Sequence, residues 1–515
     1  MIRIGIDVGG TNTDAVVMDA SGVIAGIKAS TTEDVLTGVV NALRSVLEAS
    51  GLKADAVDAV MIGTTHFTNA VVQRRDLAPT AAVRLGLPAT ASLPPMVDWP
   101  ADLKAAIGNN AWLAHGGNEF DGRPISPLDE EELRSIAGEI AARGIRTIAI
   151  TSVFSPATAE VEQRAAVIFE EAIPGVYITL SSDIGRIGLL ERENAAIMNA
   201  CLRSLSTHVI DAFRKAIAET GIKGRFYLTQ NDGTLMDASF AEKFPVLTFA
   251  SGPTNSMRGA AFLSGVKEAI VVDIGGTTSD VGSLHKGFPR QAATAVEVGG
   301  VRTNFRMPDV FSIGLGGGSH VVETDQGVDV GPTSVGYRLL KEALIFGGST
   351  LTTSDIAVAA GSADLGDRDK VSHLSQELLG KARATMAEML EGCVERSRLS
   401  DTPLPVIVVG GGSILVDGPI GELEVIKPNH YAVANAVGAA IAQVSGEVDK
   451  VYALSQMTRD QALADAKAQA VDAAVAAGAD RDTIEIVDVE DVPLAYLPGN
   501  ATRIRIKAVG ELHVG

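Results

Sequence analysis

Apolar and polar positions alternate over residues 2–30 in the pattern of a β-hairpin followed by a third strand. An apolar run from Ile2 to Ile6 leads into a glycine-rich loop, and a second run covers Ala15 to Met18. Ser21-Gly22 is a typical turn before a return strand. From Thr32 the apolar spacing changes to three or four residues, which predicts a helix ending near Ser50.

Strand-like and helix-like segments continue to alternate along the chain, which favours a mixed α/β sheet. The pattern predicts helices over 130–143, 190–220 and 458–476 and strands over 57–62, 145–151, 174–180, 227–229 and 405–409. Further strands are predicted at 451–454, 484–489 and 502–509. Residues 86–128 are rich in Pro, Gly and Asn, and predict a long irregular insertion near the active site. Ser251-Gly252-Pro253 predicts a chain break before a helix.

One acidic-glycine loop occurs twice. Asp7-Val8-Gly9-Gly10-Thr11-Asn12-Thr13-Asp14 and Asp273-Ile274-Gly275-Gly276-Thr277-Thr278-Ser279-Asp280 each lie between two apolar runs. The duplication predicts two similar lobes that hold one nucleotide. We expect a first lobe over 1–185, a second over 186–448 and a small α+β appendage over 449–515.

The chemistry of these loops suits a magnesium nucleotide. Asp7 and Asp273 end their strands, where each carboxylate would hold Mg²⁺ through water. Glycine amides approach phosphates closely, and hydroxyls donate to them, so the loops would stabilise phosphoryl transfer to or from ATP. The predicted nucleotide-binding residues are Gly9, Gly10, Thr11, Asn12 and Thr13 in the first loop and Gly275, Gly276, Thr277 and Thr278 in the second. A single loop of this kind is more often an ordinary turn; the repetition favours the nucleotide.

A third glycine run, Gly410-Gly411-Gly412-Ser413, follows a predicted strand and fits a slot in which an adenosine lies against backbone. An ordinary strand-to-helix turn is the alternative. The sequence contains no GxxxxGK[ST] pattern, so it is not a P-loop protein.

The composition narrows the class of protein. The chain has 515 residues, too many for one core, with 46% hydrophobic residues and a net charge of −20. Without a basic stripe, nucleic acid is not an expected partner. No apolar run reaches the length of about 18 residues that spans a bilayer, and no leader-like segment precedes the first strand, so we expect a cytoplasmic protein without a membrane partner. Cys201 and Cys393 are expected to be unpaired thiols.

The three loops, in this order, resemble the phosphate-1, phosphate-2 and adenosine motifs of the actin/hexokinase/Hsp70 ATPase superfamily. Finer matches over about residues 1–445 resemble the hydantoinase A/5-oxoprolinase family. The residues that carry this closer resemblance are Gly63-Thr64-Thr65-His66-Phe67-Thr68-Asn69-Ala70, Gly117 to Pro124, Ser251-Gly252-Pro253 and Ser312-Ile313-Gly314-Leu315-Gly316-Gly317-Gly318-Ser319.

This resemblance implies duplicated ribonuclease-H-like, actin-like ATPase lobes around a nucleotide cleft, with ATP and Mg²⁺ as cofactors. It implies an ATP-dependent amidohydrolase that phosphorylates the carbonyl oxygen of a hydantoin, 5-oxoproline or lactam before water opens the ring. The predicted catalytic residues are Asp7, Asp273, Thr11, Thr277 and His66. The predicted substrate contacts are Thr65, His66, Asn69, Gly316, Gly317 and Ser319.

Alternatives within the superfamily are a small-molecule kinase and a ketone-activating carboxylase subunit. An alternative from another class is a regulatory ATPase that closes on a protein partner. The resemblance also implies a second, hydantoinase B-type subunit as a partner, and we expect a homo-oligomer.

Several charged side chains have two interpretations. His66 would contact substrate or γ-phosphate, or it would cap the helix that follows. His320 is a candidate for the substrate site, whereas a surface position is favoured for His115. Arg186, Glu191, Arg192, Glu193 and Asn194 would form a solvated or inter-lobe ion-pair face, or anchor an anionic substrate.

Overall fold

The structure is a computed structural model. It describes the chain except at residues 10–11, 31–34, 121, 157, 293–294, 326, 399, 401, 456, 495–499 and 514–515. In the part that is described, every helix is too short or too polar to cross a bilayer.

The strands include the predicted ones, in the predicted order, and others that the sequence pattern missed. They are β1 (Arg3–Val8), β2 (Asn12–Asp19), β3 (Gly22–Ser30), β4 (Ala59–Thr64), β5 (Thr80–Leu87), β6 (Asn110–His115), β7 (Thr147–Ser152), β8 (Tyr177–Leu180), β9 (Arg225–Thr229), β10 (Thr234–Asp237), β11 (Ala269–Ile274), β12 (Ser279–His285), β13 (Phe288–Pro289), β14 (Val296–Val298), β15 (Val301–Thr303), β16 (Val310–Ile313), β17 (Ser319–Thr324), β18 (Gly327–Ser334), β19 (Val406–Val409), β20 (Val425–Ile426), β21 (Gln443–Ala453), β22 (Glu485–Pro493) and β23 (Ala501–Gly510).

The helices alternate with these strands. They are α1 (Val35–Ser50), α2 (His66–Gln73), α3 (Ala101–Ile107), α4 (Glu130–Ala142), α5 (Glu160–Ala172), α6 (Leu189–Cys201), α7 (Arg203–Glu219), α8 (Ala238–Lys243), α9 (Ser251–Ser264), α10 (Leu339–Glu342), α11 (Thr353–Ala360), α12 (Gln376–Ser397), α13 (Ala434–Ala440) and α14 (Arg459–Ala476).

Two sheets repeat one arrangement. In the first, β1 is antiparallel to β2 and parallel to β4; in the second, β11 is antiparallel to β12 and parallel to β19. The first sheet has the order β22-β23-β21-β10-β9-β4-β1-β2-β3, and the second has the order β13-β12-β11-β19-β20. Both centre strands are apolar and buried, as expected for strands covered on two faces. The predicted mixed α/β fold with a duplicated core is confirmed.

A separate four-stranded sheet, of order β6-β5-β7-β8, is parallel throughout. The apolar sides of α4 and α5 contribute to the core on this sheet. The stretch 86–128, predicted to be irregular, contains α3 and β6 and is therefore only partly irregular. Both elements are too short to show a clear periodicity of apolar residues, so the Pro and Gly content of the stretch determined the prediction.

Strands from distant parts of the chain share the first sheet. Both β9 and β10 join it, and β21, β22 and β23 extend it beyond β10. The boundaries predicted at 185 and 448 stay predictions, but sheet membership crosses both of them. The C-terminal strands continue an existing sheet because β10 offers β21 an unpaired edge.

Two predictions about helices are corrected. Ser251-Gly252-Pro253 forms the first turn of α9 and does not precede the helix. A proline is tolerated there, because the first-turn N–H groups have no partner within the helix. The single helix predicted over 190–220 is two helices, α6 and α7, with Leu202 between them.

Candidate functional site

The two acidic-glycine loops close hairpins of matching register. Across the first hairpin Asp7 pairs with Asp14, and across the second Asp273 pairs with Asp280. Each pair lies at the loop end of its hairpin, so the duplicated sequence produces duplicated positions for four carboxylates.

The loops turn in the same way. The Gly9 N–H donates to the carbonyl oxygen of Asn12 at 3.0 Å, and the Gly275 N–H donates to that of Thr278 at 2.9 Å. A four-residue turn closed in this way lets the chain reverse directly after the aspartate. Both loops therefore present backbone at the ends of β1 and β11.

The predicted nucleotide-binding residues differ in exposure. Thr13 is buried in β2, Gly276 and Thr277 are half-buried, and Thr278 is exposed. The exposed and half-buried hydroxyls of the second loop are accessible to a ligand, whereas the Thr13 hydroxyl faces the interior. Two further predicted residues, Gly10 and Thr11, lie outside the described residues.

A glycine on the neighbouring strand makes room for each first aspartate. Gly63 lies beside Asp7 in the β1–β4 register, and a β-carbon on it would come within 2.5 Å of Asp7 Oδ1. Gly410, directly after β19, lies beside Asp273, and a β-carbon there would overlap Asp273 Oδ1. Glycine at these two positions is therefore required for the carboxylates to lie where they do.

Asp7 is buried and incompletely hydrogen-bonded. Its Oδ2 accepts a 3.0 Å hydrogen bond from Asn435 Nδ2, whereas its buried Oδ1 has no hydrogen-bond partner among the described residues. Burial and the nearby charges of Asp14 and Asp273 raise its pKa to about 6. The amide of Asn255 lies close enough to lower the pKa slightly without completing an aligned hydrogen bond. A free lone pair on a buried carboxylate is costly unless a cation meets it.

The carboxylates of the second hairpin also have raised pKa values. Burial raises the pKa of Asp273, while a hydrogen bond from Ser256 and the charge of Lys28 lower it. Burial also raises the pKa of Asp280 to about 6, with Asp273 adding to the effect. The site concentrates negative charge in a place where water screens it poorly.

Helices α9 and α13 bring the two hairpins together. Consecutive residues of α9 reach both hairpins: Asn255 lies beside Asp7, and the Ser256 side chain lies close enough to Asp273 to lower its pKa. The backbones of the two helices are in contact at Gly438 of α13 and Asn255 of α9. A β-carbon on Gly438 would overlap the carbonyl oxygen of Asn255. Only small residues permit this approach, which sets how closely the aspartates converge.

Lys28 connects the two halves. Its Nζ lies 2.7 Å from both carboxylate oxygens of Asp14. A β-carbon on Gly411 would lie 3.6 Å from its Cε, so the side chain reaches the third glycine run. Lys28 therefore neutralises one charge of the acidic centre and leaves the others.

The site fits a magnesium ion that keeps water or phosphate ligands. The described residues contain no group of three His, Cys, Asp or Glu side chains placed to hold a metal. Mg²⁺ commonly uses one or two carboxylates, several waters and the phosphates of its nucleotide. Asp7, with its unpartnered Oδ1, and Asp273 match that requirement.

The predicted substrate loop after β4 lies against the first hairpin. The Thr65 N–H approaches the Val8 carbonyl oxygen at 3.4 Å, and Asn69 Nδ2 donates to Thr65 Oγ1 at 3.2 Å. His66 Nδ1 lies 2.7 Å from Thr64 Oγ1, and burial lowers its pKa. Thr65, His66 and Asn69 are therefore together at the carboxyl end of the first sheet, with His66 uncharged near neutral pH.

The third glycine run packs on the second loop. Gly410 has φ +86, and Gly411–Leu415 forms a 3-10 turn in which Ser413 Oγ donates to the Gly410 carbonyl oxygen at 2.7 Å. A β-carbon on Gly412 would lie 2.8 Å from the carbonyl oxygen of Gly275. The run is thus adjacent to the second loop, and its contact with an adenosine stays a prediction.

The residues predicted as substrate contacts around 316–319 lie behind the second loop. The Gly317 N–H donates to the Gly275 carbonyl oxygen at 3.0 Å, and a β-carbon on Gly316 would lie 2.5 Å from the Thr277 nitrogen. Ser319 is buried, and its Oγ accepts a hydrogen bond from Gly316 N–H at 2.9 Å. These residues support the loop, and a direct contact with substrate stays a prediction.

Other candidates lie elsewhere. His115 is exposed and pairs with Glu132 at 3.1 Å. The start of α6 was predicted to be a solvated or inter-lobe ion-pair face, and solvation is wrong for Arg192 and Glu193, which are both buried. Glu193 pairs with the buried Arg84, because ionised groups inside a protein need partners.

The remaining candidates also contact other parts of the chain. Asn194 accepts a hydrogen bond from Trp99 Nε1 at 2.7 Å, and His320 lies opposite Thr352 in an isolated bridge. A substrate role for His320 stays a prediction. Both cysteines are unpaired, as predicted, and both are buried; burial raises the pKa of Cys201 to about 12.

Sequence reasoning missed several polar residues of the acidic centre. For Asp14 and Asp280, the signal was their equal spacing from the first aspartate in both copies of the loop. No local pattern marks the other missed residues as neighbours of the aspartates. The full set of missed residues is Asp14, Lys28, Asn255, Ser256, Asp280 and Asn435.

The fold and site define a two-lobed mixed α/β protein whose paired hairpin loops meet at one acidic centre. Solved structures share this fold. The ATP-dependent caprolactamase from Pseudomonas jessenii matches with a TM-score of 0.77 and 19% identity, over 99% of this chain and 88% of that one. The nucleotide-free acetone carboxylase matches with a TM-score of 0.71 and 18% identity, over the same shares.

The chain belongs to the hydantoinase/oxoprolinase family. The family's N-terminal region matches residues 3–173, and the hydantoinase/oxoprolinase domain matches residues 192–367. The family predicted from the loops is confirmed.

Curated relatives are similar at lower coverage of their own length. The caprolactamase subunit alpha of Pseudomonas jessenii is 27% identical over 469 residues, 85% of this chain and 65% of the relative. The acetophenone carboxylase gamma subunit of Aromatoleum aromaticum is 27% identical over 397 residues, 70% of this chain and 53% of the relative. The chain therefore spans between half and two thirds of the length of these relatives.

Proposed function

We propose that this chain is the ATP-using component of an enzyme that activates the carbonyl oxygen of a cyclic amide by phosphorylation, before water opens the ring. The family membership and the similarity to a caprolactamase subunit support this proposal. The observation that carries it is the convergence of Asp7 and Asp273, one from each hairpin, on one buried acidic centre.

The acidic centre explains why this chemistry needs a cation and a nucleotide. Carboxylates with raised pKa values and an orphaned oxygen are stabilised by a divalent ion, and Asp7 and Asp273 would hold Mg²⁺ there. When bound, Mg²⁺ neutralises the negative charge of the phosphates. The hydroxyls of Thr277 and Thr278 would position the phosphates, and the turns closed by the Gly9 and Gly275 amides would hold the two loops in shape.

The loop after β4 would face the substrate. Because Nδ1 of His66 is engaged with Thr64, Nε2 is the ring atom left to meet a substrate or the γ-phosphate. The lowered pKa keeps this ring neutral, so it would orient the amide by hydrogen bonding rather than by charge. Thr65 and Asn69, which are hydrogen-bonded to each other beside His66, would contribute further contacts.

A second candidate is a ketone-activating carboxylase subunit. The similarity to the acetophenone carboxylase gamma subunit and, at 25% identity, to the acetone carboxylase beta subunit of Xanthobacter autotrophicus favours it. The same site would phosphorylate a ketone oxygen in place of an amide oxygen. Both candidates include a partner subunit, since these relatives carry subunit names.

The test measures ADP release from Mg²⁺-ATP with hydantoin, 5-oxoproline, ε-caprolactam, acetone and acetophenone, the ketones with bicarbonate. Ring-opened and carboxylated products are followed in parallel. ADP release stimulated by one cyclic amide, with matching product, would support the amidohydrolase. Stimulation by a ketone alone would favour the carboxylase. If ADP is released without further product, the partner subunit is added. Product formation would then identify a half-reaction, whereas continued ADP release alone would identify uncoupled ATP hydrolysis.

The catalytic centre is tested with a matched pair of variants. Asp273→Asn removes a carboxylate of the acidic centre, whereas Asp211→Asn removes one that is exposed on α7 and pairs there with Arg214. The proposal requires that the stimulated ADP release be lost in the first variant and kept in the second.

A further inference from the structure

A cavity of about 680 Å³ lies where the C-terminal strands extend the first sheet. One wall is β21, whose alternate residues Glu447, Asp449 and Val451 line it. The opposite walls are the segment 182–187 before α6 and the loop 304–306. The described residues that line it include none of the aspartates or glycines of the acidic centre, so it is a separate site.

Most cations around this cavity are paired. Arg306 pairs with Glu447, Arg503 pairs with Asp449, and the neighbouring Lys507 pairs at 2.7 Å with a carboxylate of the wall. These ion pairs cover three of the five carboxylates of the lining; Asp183 pairs with Lys243 at 3.4 Å, and Asp237 caps α8. The positive charge available to a ligand is the one that no described carboxylate pairs with.

Arg186 is that charge. Its guanidinium lines the cavity and forms no hydrogen bond or ion pair with any residue that the structure describes. Burial and the neighbouring Arg503 lower its pKa, while the charges of Asp449, Glu490 and Asp488 raise it. A half-buried arginine without a partner is uncommon, because its desolvation is unfavourable. Binding of an anion would offset that cost.

The backbone of Arg186 is held in place. Its N–H donates to Asn304 Oδ1 at 3.3 Å, and its carbonyl oxygen accepts from Asn304 Nδ2 and from Arg192 Nη1, both at 3.1 Å. A β-carbon on Gly185 would lie 2.7 Å from Asn304 Oδ1, which leaves the segment little freedom. The backbone from which the guanidinium extends is thus fixed at the cavity wall.

Apolar side chains complete the lining. Leu235, Leu247 and Phe305 face the same volume, and Phe305 packs edge-to-face on Phe249 with ring centroids 5.6 Å apart. A cavity of this size that combines apolar side chains with polar walls and an unpaired charge is typical of a small-molecule site.

We propose that this cavity is a second ligand site, which takes a small carboxylate with a short apolar body and pairs the carboxylate with Arg186. Arginine binds carboxylates through two parallel N–H donors, which gives both affinity and orientation. The proposal rests on the cavity and not on the proposed function of the acidic centre.

The site lies next to the segment that positions α9. Asn231 of the wall accepts a 2.7 Å hydrogen bond from Ala250 N–H, and its carbonyl oxygen accepts from Thr254 Oγ1 at 2.8 Å. Thr254 directly precedes Asn255 and Ser256 of the acidic centre. A bound carboxylate and a bound nucleotide would therefore occupy neighbouring sites at the same time.

The proposal is tested by isothermal titration with hexanoate as the probe and hexylammonium as its cationic counterpart. Wild type is expected to bind hexanoate and not hexylammonium. Arg186→Gln should weaken hexanoate binding at least about tenfold, or about 1.4 kcal/mol. Arg214→Gln, which removes an exposed arginine of α7, should bind as wild type does.

Three outcomes would overturn the proposal: no hexanoate binding by wild type, equal affinity in Arg186→Gln, or loss of binding when a non-hydrolysable ATP analogue saturates the protein. Arg186→Lys guards against a folding artefact, because it retains the charge. It should bind hexanoate more tightly than Arg186→Gln, and the reverse order would contradict a carboxylate on this side chain.

Discussion

The side-chain amide of Asn435 donates a hydrogen bond of 3.0 Å to Oδ2 of Asp7 and so joins α13 to the end of β1. The same nitrogen lies 2.8 Å from Oδ2 of Asp14. An amide donor holds the two ionised carboxylates side by side without adding charge. The negative charge of the pair therefore stays available for Lys28 and for a metal ion.

Replacing Asp273 by Asn is expected to abolish turnover and leave the fold intact. The substitution keeps the size of the side chain and removes a charge from a crowded acidic centre. Loss of one preorganised electrostatic group commonly lowers kcat by about 100-fold or more. Steady-state ADP release and circular dichroism of the variant check this, and near wild-type turnover would contradict the role of Asp273.

The stability of the nucleotide-free protein should depend on pH through Asp7. Its pKa is about 6 in the folded protein against an ordinary value of 3.8. The folded state therefore holds the proton more tightly, so this group's contribution is fully present below pH 3.8 and is lost as pH rises through about 6. The loss amounts to about 3 kcal/mol at most.

The variant Asp7→Asn isolates this effect from the other carboxylates. Relative to wild type, it should gain stability at about pH 7 and not at about pH 4. Urea unfolding of both proteins at the two pH values, without nucleotide or magnesium, measures the difference. A gain that does not change with pH would refute the raised pKa.

Gly410→Ala should weaken nucleotide binding and destabilise the fold. A β-carbon there would overlap Asp273 Oδ1, and the backbone has φ +86. With ψ 162 this is a conformation that essentially only glycine adopts, and it costs a residue with a side chain about 1–3 kcal/mol. Gly418→Ala is the matched control, since a β-carbon there meets nothing within 4 Å. Titration with an ATP analogue and thermal unfolding compare the two variants. Gly410→Ala should show the lower nucleotide affinity and the lower unfolding temperature.

Lys28→Met should destabilise the protein by about 1–3 kcal/mol, because it leaves Asp14 uncompensated beside Asp7. Asp14 is buried, whereas the Lys28 side chain is 33% exposed, so the effect falls below that of a fully buried pair. Asp14→Asn in the same chain should recover much of the loss. A double-mutant cycle by urea unfolding gives the coupling. Lys381→Met, at an exposed pair on α12, should have little effect.

Much of the fold was predictable because its signals are local. The turn at Gly9 and its copy at Gly275 follow from glycines between apolar runs, and the α14 boundary follows from the capping box of Thr458 with Gln461. The equal spacing within both loops also determined that Asp7 and Asp273 occupy equivalent positions. The acidic pair and the family were therefore available from the sequence alone.

The tertiary structure decided which distant residues complete the site. The polar residues that reach the aspartates are Asn255, Ser256 and Asn435. They do so only because α9 and α13 pack so closely that glycine is needed at their contact, and no local pattern encodes that contact. Likewise, β21 to β23 extend the first sheet because an edge strand accepts partners from anywhere in the chain. A sequence specifies turns and periodicity over a few residues. The burial of Asp7 and the unpaired charge of Arg186 depend on what the rest of the chain places around them.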